Sequence, residues 1–200
     1  MADTNLLATT GGVLLAGGLS TRFGTEKAVA LLHDGLLMDA VCERFAPLAQ
    51  FAVSARPGSA AEGHARARGL DVLHDDPTHP SGPLAGLAAG LAWAKRRNLH
   101  MVATAPCDTP LLPLDLFPIL LSHLREAPAA FAVTIEGPNP LCGVWRTDVL
   151  SSLLARLTDH HPSVQSFHAE LGSIAVRFDD AAAFANANTR EALSAIEARL

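Results

Sequence analysis

Two hundred residues, 49% of them apolar, with a mean hydropathy of +0.23, suffice for one substantial core and make a single domain over residues 1–200 the expectation. The formal net charge is −5 with no block of like charge, which argues against a partner such as duplex nucleic acid or an anionic membrane surface and means that an anionic small ligand needs a local cationic pocket. Three widely spaced cysteines, Cys42, Cys107 and Cys142, with no CxxC argue against a disulfide framework or structural zinc and make a reducing, cytoplasmic location the expectation.

The N-terminal "MADTNLLATT" lacks the cationic and long apolar regions of an export signal, and no apolar run reaches the roughly 18 residues of a membrane span. "GVLLA" (12–16) reads as a buried first strand and "LLMDAVCERFAPL" (36–48) as the first clear helix. "FAVSA" (51–55) is a second strand, "SAAEGHARARG" (59–69) a helix that Gly69 stops, and "LDVLHD" (70–75) a third strand. "SGPLAGLAAGLAWAKRRN" (81–98) carries Pro83 near its first helical position and two arginines at its end, suiting both poles of a helix dipole. "HMVATAPCD" (100–108) is a fourth strand, leading to a helix over 114–125.

After Ala130 the pattern loosens: "AFAVTI" and "LCGVWR" suggest a strand pair around the turn "EGPNP", and "SIAVRF" (173–178) another strand. A terminal helix follows "NANT", with Asn188 or Thr189 as its cap. Buried strands alternating with helices predict an α/β fold, a mostly parallel sheet covered on both faces. No repeat, linker or low-complexity tract interrupts it.

The stretch "LLAGGLSTRFGTEKA" (14–28) directly follows the first apolar run. Adjacent glycines at 17 and 18 let backbone N–H groups converge without a Cβ in the way, and Arg22 and Lys27 add a forked donor and a point charge. Such a loop is built for an anion. It matches neither GxxxxGK[ST] nor GxGxxG, which disfavours a Walker ATPase and a dinucleotide-binding dehydrogenase. Asp108 ends a buried strand beside this loop, where open α/β sheets place their ligands, although an aspartate before a helix also suits a cap. Asp75 and Asp76 lie in "HDDPTHPSG", a stretch full of turn formers. The nine histidines show no ligand spacing and read as surface or loop residues; Trp93 and Trp145 read as core or cavity wall.

The pattern LAGGxSxRxGxxK resembles the signature of Rossmann-like nucleotidyltransferases. With "GPLAG" (82–86), "APCDTPLLP" (105–113) and "FANANT" (184–189) in order after it, the chain resembles the molybdenum cofactor guanylyltransferase family from Leu15 to Thr189. The resemblance implies a Rossmann-like three-layer sandwich and transfer of GMP from GTP to the phosphate of molybdopterin with magnesium. It assigns nucleotide contacts to Leu15, Ala16, Gly17, Gly18, Lys27 and Asp75, with Asp76 as a substitute for Asp75, and the magnesium ligand to Asp108. Arg22 then faces the transferring phosphates or the pterin phosphate, while Gly82, Asn186 and Asn188 line the acceptor side. Three positions depart from the family: the Gly24-Thr25-Glu26-Lys27 spacing is one residue shorter than in some members, Asn139 stands where histidine or glutamine is common, and "SARPG" replaces an asparagine, which leaves open whether Arg56 makes the base or ribose contact.

In such a reaction charge builds on departing pyrophosphate, so positioning and electrostatics matter more than a covalent nucleophile. Cytidylyl transfer to the same pterin or another phosphorylated acceptor, and a non-catalytic cofactor-delivery adaptor, stand as alternatives. Cofactor-synthesis proteins and the acceptor molybdoenzymes are the further partners implied.

Overall fold

A computed structural model describes residues 4–18, 26–33, 35–157 and 163–200. A short helix α1 (Thr4–Ala8) precedes β1 (Thr10–Leu15), and a small hairpin of β2 (Leu31–Leu32) and β3 (Gly35–Leu36) leads into α2 (Leu37–Cys42). There follow β4 (Gln50–Ser54), α3 (Ala60–Ala67), β5 (Asp71–Leu73), α4 (Pro83–Arg96), β6 (Met101–Pro106) and α5 (Leu116–Leu124). The C-terminal third adds β7 (Ala129–Thr134), β8 (Gly137–Arg146), α6 (Leu150–Arg156), α7 (Val164–Leu171), β9 (Ile174–Arg177) and α8 (Arg190–Glu197).

Seven strands form one sheet in the order β5-β4-β1-β6-β8-β7-β9, in which only β8 runs antiparallel to its neighbours. The mostly parallel sheet expected from the alternating strands and helices is therefore present. Alternation along β1 sends Leu14 toward one face and Val13 and Leu15 toward the other. Leu14 joins a core with Met38, Phe45 and Leu120 from the side of α2 and α5; Val13 and Leu15 join Leu87, Leu91 and Phe167 from α4 and α7. The result is three layers.

Close approach at β1 sets the thickness of those layers. A Cβ on Gly12 would strike the Phe45 ring and stand 2.8 Å from Phe51 Cβ, and one on Gly11 would stand 2.6 Å from Trp93 Cζ3. The two glycines admit an aromatic side chain on each face of the same strand. Trp93 and Trp145 are both core residues, the latter donating its indole N–H to Thr104 Oγ1 at 3.0 Å.

Several expectations change. The first helix is shorter than 36–48: α2 stops at Cys42, a single 3₁₀ turn follows over Glu43–Phe45, and Pro47 lies just beyond. The expected turn "EGPNP" is mostly strand: Ile135 and Glu136 alone turn the chain, Thr134 pairs with Gly137, and a register shift leaves Pro140, Leu141 and Cys142 as a bulge. Prolines there need supply no ladder N–H, because Pro138 lies beyond the β6 pairing and Pro140 within the bulge. Two helices, α6 and α7, go unforeseen, although Val164, Phe167 and Leu171 at helical spacing, Ser163 as the cap and Gly172 in the left-handed conformation all signal α7.

His168 corrects the reading of the histidines as surface or loop residues. On α7 it is 2% exposed, stacked 4.1 Å from Phe131 and 4.2 Å from Trp145 between ring centroids, and its Nε2–H donates to the Pro140 carbonyl at 2.9 Å. That carbonyl fixes the tautomer and leaves Nδ1 buried without a hydrogen-bond partner among the described residues. Thr104 Oγ1 donates to the next carbonyl, Leu141, at 2.8 Å, so the bulge is held from both sides.

Burial pushes the His168 imidazolium down to about 4 from an ordinary 6.5, against the opposing pull of the Pro140 carbonyl. A depressed histidine keeps its full stabilising effect above the unfolded value and loses it as pH falls from about 6.5 to about 4, because the unfolded chain then binds the extra proton. The loss amounts to about 3 kcal/mol across that window. Urea melts at pH 7 and 4.5 should therefore show a smaller acid-induced loss for His168→Phe, which keeps the stacking and cannot titrate. An equal loss in both proteins would show that His168 already takes up a proton in the fold.

Candidate active site

The carboxyl ends of β5, β4, β1 and β6 open into a cavity of about 620 Å³. This is the position at which open α/β sheets bind ligands, because loops leaving adjacent strand tips diverge there. Leu15, Ala16, Gly17, Gly18, Lys27, Asp75, Gly82, Asp108, Asn186 and Asn188 all line it, gathering ten residues from six separated stretches. Arg22 lies outside the described residues.

Lys27 opens a 3₁₀ turn (Lys27–Val29), and its ammonium donates to Asp108 Oδ2 at 2.8 Å and to Asn188 Oδ1 at 2.6 Å. The ion pair is mostly shielded, with side-chain exposures of 14% and 17%, so water screens it less than a surface pair. Asp108 is no helix cap: Asp115 occupies that position for α5, and the Asp108 main-chain carbonyl instead accepts from Ala187 N at 2.8 Å. Ala187 is fully buried between the exposed Asn186 and Asn188, which places both amides on the cavity side. Thr189 caps α8, accepting from Ala192 N at 3.1 Å, and so leaves Asn188 to the lysine.

The loop after Asp108 is pinned from beneath. Arg44, 9% exposed, donates to the Leu112 carbonyl at 2.7 Å and the Pro110 carbonyl at 3.0 Å. On the other side of Lys27, Glu26 accepts from the first two N–H groups of α3, Ala60 at 2.7 Å and Ala61 at 3.0 Å. A carboxylate on a helix N-terminus satisfies donors with no intrahelical partner and meets the positive pole of the dipole. Glu26 and Arg44 thus clamp the two segments that present Lys27 and Asp108. Neither was singled out for this role in the sequence, because each contact joins segments at least 34 residues apart.

Asp75 and Asp76 separate clearly. Asp76 Oδ1 accepts from Thr78 N at 2.9 Å and from its hydroxyl at 2.7 Å, a turn-forming arrangement whose hydrogen bonds hold its pKa below the ordinary range. Asp75 lines the cavity half-buried, and desolvation raises its pKa against the influence of His74.

Gly82 precedes α4 with φ at 146°, a conformation that side-chain-bearing residues rarely adopt, and Pro83 supplies the first helical position. The N-terminus of α4 has no side-chain cap and faces the cavity through Gly82, Pro83 and Gly86. At Gly17 and Gly18 a Cβ would meet nothing within 4 Å, and neither backbone is left-handed. Internal packing therefore does not demand these glycines; the space they keep open belongs to the cavity. Cys107, beside Asp108, has its thiol pushed up to about 12 by burial and by that carboxylate, which removes it as a thiolate nucleophile.

Residues 12–174 match the model of the MobA-like NTP transferase domain. The chain belongs to this family. The MobA-like chain is 38% identical over 191 residues to a molybdenum cofactor guanylyltransferase of Cereibacter sphaeroides, covering 94% of this chain and 96% of the relative. It is 35% identical over 199 residues to one of Burkholderia orbicola, covering 94% and 95%. Its fold is similar to that of molybdopterin-guanine dinucleotide biosynthesis protein A from Archaeoglobus fulgidus, with a TM-score of 0.77 and 20% identity across 95% of this chain and 97% of that one. The MobA-like family makes this chain a nucleotidyltransferase, in line with the sequence resemblance. No described helix is long and apolar enough to cross a membrane.

The Glu26 contact carries a measurable stability effect. Glu26→Ala should lower stability by about 1 kcal/mol in urea unfolding and speed hydrogen exchange at the Ala60 and Ala61 amides. Glu26→Gln, which retains one acceptor oxygen, should fall between the two. Unchanged exchange in the alanine variant would mean that α3 does not depend on this carboxylate.

Proposed function

We propose that this chain transfers GMP from GTP to the phosphate of molybdopterin, yielding the guanine dinucleotide cofactor and pyrophosphate. The convergence of Lys27, Asp108 and Asn188 in one shielded cavity carries the reading, with the relatives' names supporting the choice of base and acceptor. An oxygen of the pterin phosphate attacks the α-phosphorus of GTP, the bond to the bridging oxygen of the β-phosphate breaks, and that electron pair leaves on pyrophosphate.

Lys27 balances charge on the departing group, and Arg22 is the second cation of the same reading. The backbone from Leu15 to Gly18 and the Asp75 carboxylate hold the nucleoside; Gly82, Asn186 and Asn188 orient the acceptor. Asp108 is the magnesium ligand. Its carboxylate lines the cavity and would hold the ion there, one or two protein carboxylates being enough for magnesium. When bound, magnesium supplies charge neutralisation at the phosphates. On the same reading the chain is a single catalytic domain that works in the cytoplasm, with cofactor-synthesis proteins and acceptor molybdoenzymes as its partners.

Purified protein given GTP, magnesium and molybdopterin should release pyrophosphate in step with the guanine dinucleotide. Faster turnover with CTP, or nucleotide binding without pyrophosphate release, would replace this reading with cytidylyl transfer or cofactor delivery. Lys27→Ala should lower kcat by about 100-fold or more with the fold intact by circular dichroism. Asp108→Ala should weaken the response to magnesium, and an unchanged magnesium titration would remove Asp108 as the ligand.

A further inference from the structure

The proposed chemistry concentrates at the β6 end of the cavity, where Lys27, Asp108 and Asn188 meet. The opposite end, at the tips of β4 and β5, carries two charged side chains, Arg56 and Asp75, that also line the cavity. Neither makes a hydrogen bond to a described residue through its side chain. Lys27 already has carboxylate and amide partners, whereas the Arg56 guanidinium is exposed and unpaired among the described residues.

The backbone under Arg56 is fixed. Its carbonyl accepts from Ser59 N at 3.1 Å, Pro57 follows, Gly58 turns the chain at φ 73°, and Gly58 N donates to Glu62 Oε2 at 2.6 Å. The turn that presents the guanidinium is thereby tied to the first turn of α3. With β1 between them, β4 and β6 lie roughly 10 Å apart at the usual spacing of strands. A nucleotide whose polyphosphate tail meets Lys27 has room along the same cavity for its base beside Arg56 and Asp75.

A base that meets a planar fork of donors on one side and a carboxylate on another must offer paired acceptors and, separately, N–H donors. Guanine does so, with O6 and N7 on one edge and its N1–H and N2–H groups on the next. Cytosine carries its O2 and N3 acceptors on the same edge as its N4 amino donor, so a fork on that pair leaves no separate N–H edge for the carboxylate, and adenine has an amino donor in place of O6. We propose that Arg56 is a specificity-determining residue for the guanine base, donating two hydrogen bonds to O6 and N7 while Asp75 accepts from the N–H edge. Burial raises the Asp75 pKa, as expected of a carboxylate with few donors around it.

The assignment rests on the guanylyl reading above and is tested separately by calorimetry on the full chain. Wild type, Arg56→Ala and Arg56→Lys are each titrated with GTP, 7-deaza-GTP and CTP in the presence of magnesium. Arg56→Ala should weaken GTP roughly 5- to 50-fold and leave CTP unchanged, and lysine, which lacks the fork, should not restore GTP affinity fully. Wild type should bind 7-deaza-GTP more weakly than GTP, and the alanine variant should no longer distinguish them.

Equal weakening of GTP and CTP by Arg56→Ala would make Arg56 a general phosphate or ribose contact, and no change with either would remove it from the site. Each result overturns the base assignment while a wild-type preference for GTP leaves the guanylyl reading standing. A wild-type preference for CTP would overturn both.

Discussion

Strand β1 has to accept aromatic side chains on both faces at once, and the arrangement of the molecule follows from that constraint. Gly11 lets Trp93 of α4 press on one side, while Gly12 lets Phe45, just beyond α2, press on the other. Side chains at these positions would force the helical layers away from the sheet, where close packing leaves little slack. With the layers seated, the loop leaving β1 lies beside the one leaving β6, because those strands are hydrogen-bonded neighbours from Thr10–Met101 to Leu15–Pro106. The cavity is thus a product of core packing as much as of its own polar residues.

The polar residues are then held by contacts around the cavity. Arg44, on the 3₁₀ turn after α2, donates to the carbonyls after Asp108, and Glu26, on the cavity wall, reaches across to α3. His168 and Thr104 do the same for the bulge that brings Leu141 to the wall. His168, Thr104 and Arg44 bind main-chain carbonyls of irregular segments with side chains from helical or strand positions, while Glu26, in a loop, binds the first N–H groups of a helix. That is how loops at strand tips gain definition without ladder partners.

Local rules exposed those elements whose signals are contiguous. Pro83 and Arg96 bracket α4 in the sequence as they do in the fold, and the apolar run of β1 ends where its strand ends. The turn around Gly137 was misplaced because proline is read as a breaker unless the sheet edge is known, and the edge depends on how far β6 pairs with β8. Helix α7 was obscured by His168, a polar residue in an apolar slot whose aromatic partners come from β7 and β8. Within the cavity, family motifs supplied Lys27 and Asp108, but 81 residues separate the pair, and only the strand order reveals their contact. The choice between Asp75 and Asp76 likewise required seeing that Thr78 engages the latter.

The contact between the Lys27 ammonium and the Asp108 carboxylate pairs two opposite charges inside the cavity. On the proposed assignment of an anion to Lys27 and a cation to Asp108, each ligand would displace one member of that couple from the other. Thermodynamic reciprocity then requires that whichever arrives first strengthens the hold on the second by the same factor. On that assignment a phosphate and a metal ion together gain more from the cavity than either does alone.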